Sequence, residues 1–210
     1  MKKNYFIIGI TLLVLSIIAA FSVPIIQIVK YQSILDGGEE VKMKLKAFDP
    51  YDAFRGRFIN IDLDFGNYKL PKPAPRDTVF PTNSDYRTQF PVNIILGKDK
   101  DGFAYIKEVS FDLKKKYPDD AIIMRGRIRY WDVESESKYN FSTANITALN
   151  PRIHIDRFYM NEALAPEAEK ALNNAKIREK AYAIIKIKDK IPVIENIYIG
   201  DEDLADFLED

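Results

Sequence analysis

The feature that most constrains this chain is an N-terminal run of 24 residues, 6–29, without one formal charge. A helix of that length is about 36 Å long, whereas the hydrocarbon core of a bilayer is about 30 Å thick. A helix on the surface of a soluble protein would carry a polar stripe. Here the polar residues are few: Thr11, Ser16, Ser22 and Gln27. The run therefore predicts a transmembrane helix, with the lipid bilayer as a partner.

The lysines around this run predict its orientation. Lys2 and Lys3 precede the run, and Lys30 follows it directly. Because early positive charges usually stay on the cytoplasmic side, we expect a cytoplasmic N-terminus at 1–5, a transmembrane helix at 6–29 and an extracytoplasmic domain at 30–210. The chain is then a single-pass membrane protein.

A cleaved signal peptide is the alternative, with Ala20-Phe21-Ser22 as a small-x-small cleavage site. The apolar run continues past Ser22 and is longer than the apolar region of a typical signal peptide. An uncleaved anchor is therefore favoured.

The rest of the chain is predicted to be mainly β. Val41, Met43 and Leu45 alternate with lysines, which is the period of two of a half-buried strand. The same period continues at 59–65, and further strands are expected at 92–96, 103–113, 121–131, 137–142, 152–159, 181–188 and 191–199. One helix is expected near Pro166, since proline suits a first turn. The predicted fold is an antiparallel sandwich or barrel-like domain with one capping helix.

The segment 70–91 contains five prolines, at positions 71, 73, 75, 81 and 91. Proline has no N–H to donate to a strand ladder. We therefore expect a long loop or an irregular excursion here.

The composition argues against several classes of function. The chain has 31 basic and 31 acidic residues, so no excess of positive charge predicts nucleic-acid binding. It has one histidine, His154, and no cysteine, so the usual ligands of zinc and iron are scarce. We expect no cofactor, no metal and no catalytic residue of a recognisable type.

Two segments resemble a known family. Asp49, Pro50, Asp52, Arg55 and Gly56 form a turn-like segment between two predicted strands. From Gly56 onward the chain resembles the motif Gly-Asp-Tyr-x-x-Leu-x-Tyr of the bacterial GDYXXLXY family. Gly56, Phe58, Ile61 and Leu63 stand at its Gly, Tyr, Leu and final Tyr positions, and Arg57 replaces the Asp.

The second segment is 157–162, which is similar to the family's Arg-Tyr-Phe-x-Pro-Glu segment. Arg157, Tyr159 and Glu162 lie in it, and Asn161 replaces the Pro. Turn chemistry alone explains much of the first segment, because Gly56 accepts unusual backbone angles and Asp49 and Asp52 can bond nearby amides. Both segments are nevertheless our candidates for a binding site.

The resemblance implies a membrane-anchored protein without an established activity, encoded near multi-pass membrane proteins. We therefore expect a binding or assembly module that acts with such a protein. The alternative is an envelope hydrolase that uses His154 or the pair Asp49 and Asp52. A peptidase-like variant would need a nucleophilic serine and a lysine base, and Ser33 is the only early serine after the span.

Overall fold

The computed structural model describes residues 2–46, 58–64, 66–75, 79, 89–134, 145–153, 155 and 157–209. Its first element is a long helix, α1 (Lys2–Gly37). Within Ile10–Gly37 an 18-residue window has a mean hydropathy of 2.6, and this part of the helix is long and apolar enough to cross a membrane. The helix continues for about two turns beyond the predicted span of 6–29.

The described part of the domain contains twelve strands and three shorter helices. The helices are α2 (Ala165–Asn173), α3 (Ala175–Arg178) and α4 (Leu204–Glu209). The strands are β1 (Glu39–Lys46), β2 (Phe58–Asn60), β3 (Asp62–Leu63), β4 (Tyr68–Pro75), β5 (Phe90–Lys98), β6 (Ala104–Ser110), β7 (Ile122–Glu134), β8 (Asn145–Arg152), β9 (Arg157–Tyr159), β10 (Ala181–Lys188), β11 (Ile191–Ile199) and β12 (Glu202–Asp203).

These strands form two five-stranded antiparallel sheets and a two-stranded ribbon. The first sheet has the order β12-β11-β10-β1-β3, and the second has the order β4-β8-β7-β5-β6. Among the described strands, β2 and β9 pair only with each other. The predicted β-rich, antiparallel class is therefore confirmed.

Both sheets bury side chains in one hydrophobic core. Val41 and Ile185 come from the first sheet, and Val92 and Met124 come from the second. In β10 every second residue is buried, because a strand turns alternate side chains to the same face. Leu172 of α2 joins the same core, so this helix caps the sheets as predicted.

The prediction of a single strand at 59–65 is wrong in one respect. The segment forms two short strands with different partners, since β2 pairs with β9 whereas β3 pairs with β1. Ile59, Ile61 and Leu63 are all buried, so the period of two continues across the break. Residue 65 lies outside the described residues.

The predicted loop at 70–91 is also wrong at both ends, because 68–75 is the strand β4 and residues 90 and 91 belong to β5. β4 lies at the edge of its sheet, where proline is tolerated. Its pairing with β8 shifts register between Lys69 and Ala74, so Pro71 and Pro73 lie in a bulge. Residues 76–78 and 80–88 lie outside the described residues.

The prediction of one continuous strand at 152–159 is wrong. β8 ends at Arg152 and the short β9 begins only at Arg157. Pairing of 157–159 with β2, in a separate ribbon, explains why the segment does not continue β8. The predicted strand at 137–142 lies outside the described residues.

The C-terminal end of α1 docks on the β10–β11 hairpin. Ile34 is only 2% exposed, although the neighbouring helical residues are largely exposed. Lys188 Nζ donates to the Ser33 carbonyl at 3.1 Å and to its Oγ at 3.2 Å. The N–H of Gly38 donates to the Ile34 carbonyl at 2.8 Å. These bonds satisfy carbonyls at the helix end, where a cation is also favourable.

Gly38 is required for this docking. A Cβ at position 38 would lie 2.5 Å from the Ile34 carbonyl oxygen and 3.0 Å from the Ile187 nitrogen. We expect Gly38→Ala to lower the free energy of unfolding by about 1–3 kcal/mol, the usual cost of overpacking. Gly37→Ala is the control, because the nearest atom to its Cβ would be Lys188 Nζ at 3.6 Å. Thermal unfolding in detergent tests this, and equal effects of both variants would contradict it.

Candidate functional site

The two segments that resemble the family motif meet in the β2–β9 ribbon. The register pairs Phe58 with Tyr159, Ile59 with Phe158, and Asn60 with Arg157. The segments are far apart in the sequence, and only the fold brings them side by side. We call the ribbon, together with residues 160–162 that follow β9, the motif ribbon (residues 58–60 and 157–162).

The motif ribbon has a buried and an exposed side. Ile59 is fully buried, and Phe158 packs against the hydrophobic core. Tyr159 is 67% exposed, and Arg157 and Glu162 are exposed as well. Each of these three residues also takes part in an interaction within the chain. The motif ribbon therefore presents a phenol, a guanidinium and a carboxylate on one stretch of surface.

Other motif positions have a packing role. Ile61 and Leu63 are buried, and Leu63 pairs with Leu45 of β1. They stand where the family has Leu and the final Tyr, so in this chain these positions stabilise the core. The backbone pairing of Phe58 is described, but its side chain is not.

Several candidate residues lie outside the described residues: Asp49, Pro50, Asp52, Arg55, Gly56 and His154. The predicted turn and the hydrolase candidates Asp49, Asp52 and His154 are thus not among the described residues. Within the described part of the chain, no group of three or more His, Asp or Glu side chains is arranged to hold a metal ion.

Asn161 forms the turn between β9 and α2. Its Oδ1 accepts from the Ala163 N–H at 3.0 Å, and its carbonyl accepts from Leu164 at 3.0 Å and Ala165 at 3.1 Å. Asparagine side chains commonly close such turns. The family's proline is thus replaced here by a residue that makes the turn with hydrogen bonds.

A cluster of lysines and aromatic rings, most of them on the first sheet, was not predicted from the sequence. Tyr182 and Tyr198 stack with ring centres 5.5 Å apart, and Phe103 meets Tyr182 edge-on at 5.6 Å. Lys42 Nζ lies 5.3 Å from the Tyr182 ring centre, and Lys44 Nζ lies 5.6 Å from that of Phe103. Cation–π contacts of this kind stabilise neighbouring strands, so packing accounts for the cluster.

Lys186 lies on the outer face of the same sheet. Its Nζ is 2.8 Å from Glu40 and 3.5 Å from Glu195. The hydrogen bond to Glu40, with a smaller contribution from the charge of Glu195, raises the pKa of Lys186 above 10.5. A lysine that acts as a catalytic base needs a lowered pKa, so this one is an ion-pair partner.

The arrangement defines a class: a β-rich domain that follows an apolar N-terminal helix and pairs two distant motif segments. A family model described as GDYXXLXY protein matches residues 20–190, and the chain belongs to this family. No curated protein and no solved structure matches the chain.

The two sides of the motif ribbon should differ in their effect on stability. We expect Ile59→Ala to cost about 2–5 kcal/mol, because it leaves a cavity in the core. Tyr159→Ala should change stability by about 0.5 kcal/mol or less, because the side chain is mostly in water. Urea unfolding measures both, and a larger loss in Tyr159→Ala would refute the assignment of sides.

The Lys186 ion pairs should contribute to stability only while the lysine is charged. Because its folded pKa is raised above 10.5, the contribution is fully present below that pH and is lost as pH rises through the folded pKa. We expect Lys186→Gln to cost at most about 1 kcal/mol near neutral pH, since both carboxylates are partly exposed. Unfolding at several pH values from neutral upward should show that the stability difference between wild type and variant persists near neutral pH and shrinks only in alkaline solution. A difference that has already disappeared near neutral pH would contradict the prediction.

Proposed function

We propose that this protein is a single-pass membrane protein whose extracytoplasmic β domain binds another membrane protein through the motif ribbon. In this proposal α1 is an uncleaved anchor with a cytoplasmic N-terminus. The observation that carries it is an exposed apolar helix joined without a linker to a folded domain.

The exposed surface of α1 supports the anchor. Between residues 10 and 29 the large apolar side chains are 46–67% exposed, and they continue around the whole helix. Soluble proteins rarely leave an apolar surface of this extent in water. Lipid is the natural cover for a helix that is apolar on all sides.

The junction supports a fixed position of the domain at the bilayer. With 6–29 in lipid, Lys30 and Tyr31 reach the interface, where both residue types are favoured. The buried Ile34 follows Lys30 after about 6 Å of helix. The domain therefore begins within about one helical turn of the bilayer surface.

The register of β1 places the motif ribbon away from α1. β1 starts at Glu39, next to the helix, and at its other end Lys46 pairs with Asp62. The distance along this strand is about 23 Å. β3 runs antiparallel to β1, so the residues that precede β3 continue past the Lys46 end of β1. β2 lies directly before β3 in the chain, and the ribbon therefore lies beyond that far end. A partner would meet it in the extracytoplasmic space and not within the bilayer.

The residue types on the ribbon support a contact with protein. Tyrosine and arginine are enriched at the centres of protein interfaces, where they supply large contact areas and several hydrogen bonds. Tyr159 and Arg157 offer both types on neighbouring exposed positions.

The absence of cysteine from the sequence makes the orientation directly testable. We expect a membrane-impermeant maleimide to label Lys114→Cys in right-side-out vesicles and Asn4→Cys only in inside-out vesicles. Reversed labelling would overturn the orientation. Loss of residue 4 from the mature chain would show that the segment is a signal peptide, and a soluble chain without detergent would refute the anchor.

The binding surface is testable by crosslinking in membranes. We expect a photoreactive phenylalanine in place of Tyr159 to give an adduct with a membrane protein. The same group in place of Tyr105 is the matched control, because Tyr105 is also exposed but lies on β6 of the second sheet. No adduct at 159, or the same adducts from both positions, would refute binding through the motif ribbon.

A further inference from the structure

We propose that a groove at the C-terminal end of the domain binds a short zwitterionic peptide with an apolar side chain. The groove lies between α3, the turn that joins β11 to β12, and α4, and we call it the α3–α4 groove. Its volume is about 620 Å³. Pockets for small molecules typically measure about 300–1,000 Å³, so the size fits such a ligand.

The α3–α4 groove has an apolar part and two charged walls. Ile177, Ile199 and Phe207 supply the apolar part. One wall is formed by Lys176 of α3 and by Glu179 and Lys180, which follow α3; the other wall is formed by Asp201 in the turn and Glu202 at the start of β12.

The charges on the two walls are not paired with each other. Among the described residues, none of these lysines and carboxylates forms an ion pair with another residue. An anion alone would face Asp201 and Glu202, and a cation alone would face Lys176 and Lys180. A ligand that carries an ammonium and a carboxylate matches both walls, and its side chain can cover the apolar part.

The walls are held in place by the fold. The N–H of Gly200 donates to the Lys180 carbonyl at 3.1 Å, which ties the turn to the short segment between α3 and β10. Gly200 has a φ of +66°, a conformation that glycine adopts readily. Asp203 Oδ1 accepts from the N–H groups of Ala205 and Asp206 at 2.9 Å, and Leu204 is buried, so α4 is fixed as well. A preformed groove loses little freedom when a ligand binds.

Calorimetric titration of the full chain in detergent micelles tests this with leucyl-leucine as the probe. We expect saturable binding of the free dipeptide, and weaker binding of its N-acetylated and C-amidated forms. Asp201→Asn and Lys180→Gln should each weaken the free dipeptide about fivefold, the size expected for one solvent-accessible ion pair. Asp120→Asn and Lys114→Gln are matched controls on an exposed loop and should leave binding unchanged.

The pairing of variants with blocked ligands makes the test specific. Asp201→Asn should not weaken the acetylated dipeptide further, and Lys180→Gln should not weaken the amidated one further, because each pair removes the same contact. Thermal unfolding of the variants checks that the fold is retained. Absence of binding, equal binding of a doubly blocked dipeptide, or equal losses in the control variants would overturn the proposal. Anchoring and the motif ribbon are tested separately, so their outcome does not depend on this groove.

Discussion

The contact between the end of α1 and the β10–β11 hairpin fixes the position of the β domain relative to the N-terminal helix. Burial of Ile34 contributes about 1.5–3 kcal/mol, and the bonds from Lys188 and Gly38 close the helix end. Since no flexible segment separates the helix from β1, the helix fixes which end of the first sheet lies next to it. The hairpin turn at 189–190 lies at that end, whereas the motif ribbon, α2 and α4 gather at the opposite end. A long apolar helix and a folded domain thus behave as one unit.

The family motif in this chain pairs with β9 through its first half and with β1 through its second half. Its strand leaves the ribbon after Asn60 and joins β1 from Asp62 onward, with Ile61 buried between them. The motif therefore ties the end of β1 that is remote from α1 to the segment 157–159, and much of it serves folding. Among the described side chains of the two segments, Arg157 and Tyr159 of the second segment are exposed.

The sequence predicts those features that depend on one segment at a time. The period of two reveals β1 and β10, because each has one buried face, as Met43 and Ala183 show. The same period cannot reveal that β2 and β3 have different partners, since side-chain direction does not depend on the partner strand. The end of α1 is missed because the uncharged run stops at residue 29, whereas burial of Ile34 extends the helix to Gly37. The lysine–aromatic cluster and the α3–α4 groove each combine residues from several segments of the chain, so only the folded structure shows them.

The prolines of β4 have a consequence for how copies of this domain can coexist. A sheet edge normally offers a regular row of N–H and C=O groups, to which a neighbouring chain can add a strand. In β4 the nitrogens of Pro71, Pro73 and Pro75 carry no hydrogen, and the bulge further interrupts the row. A second molecule therefore finds no continuous hydrogen-bonding template along the described length of this edge.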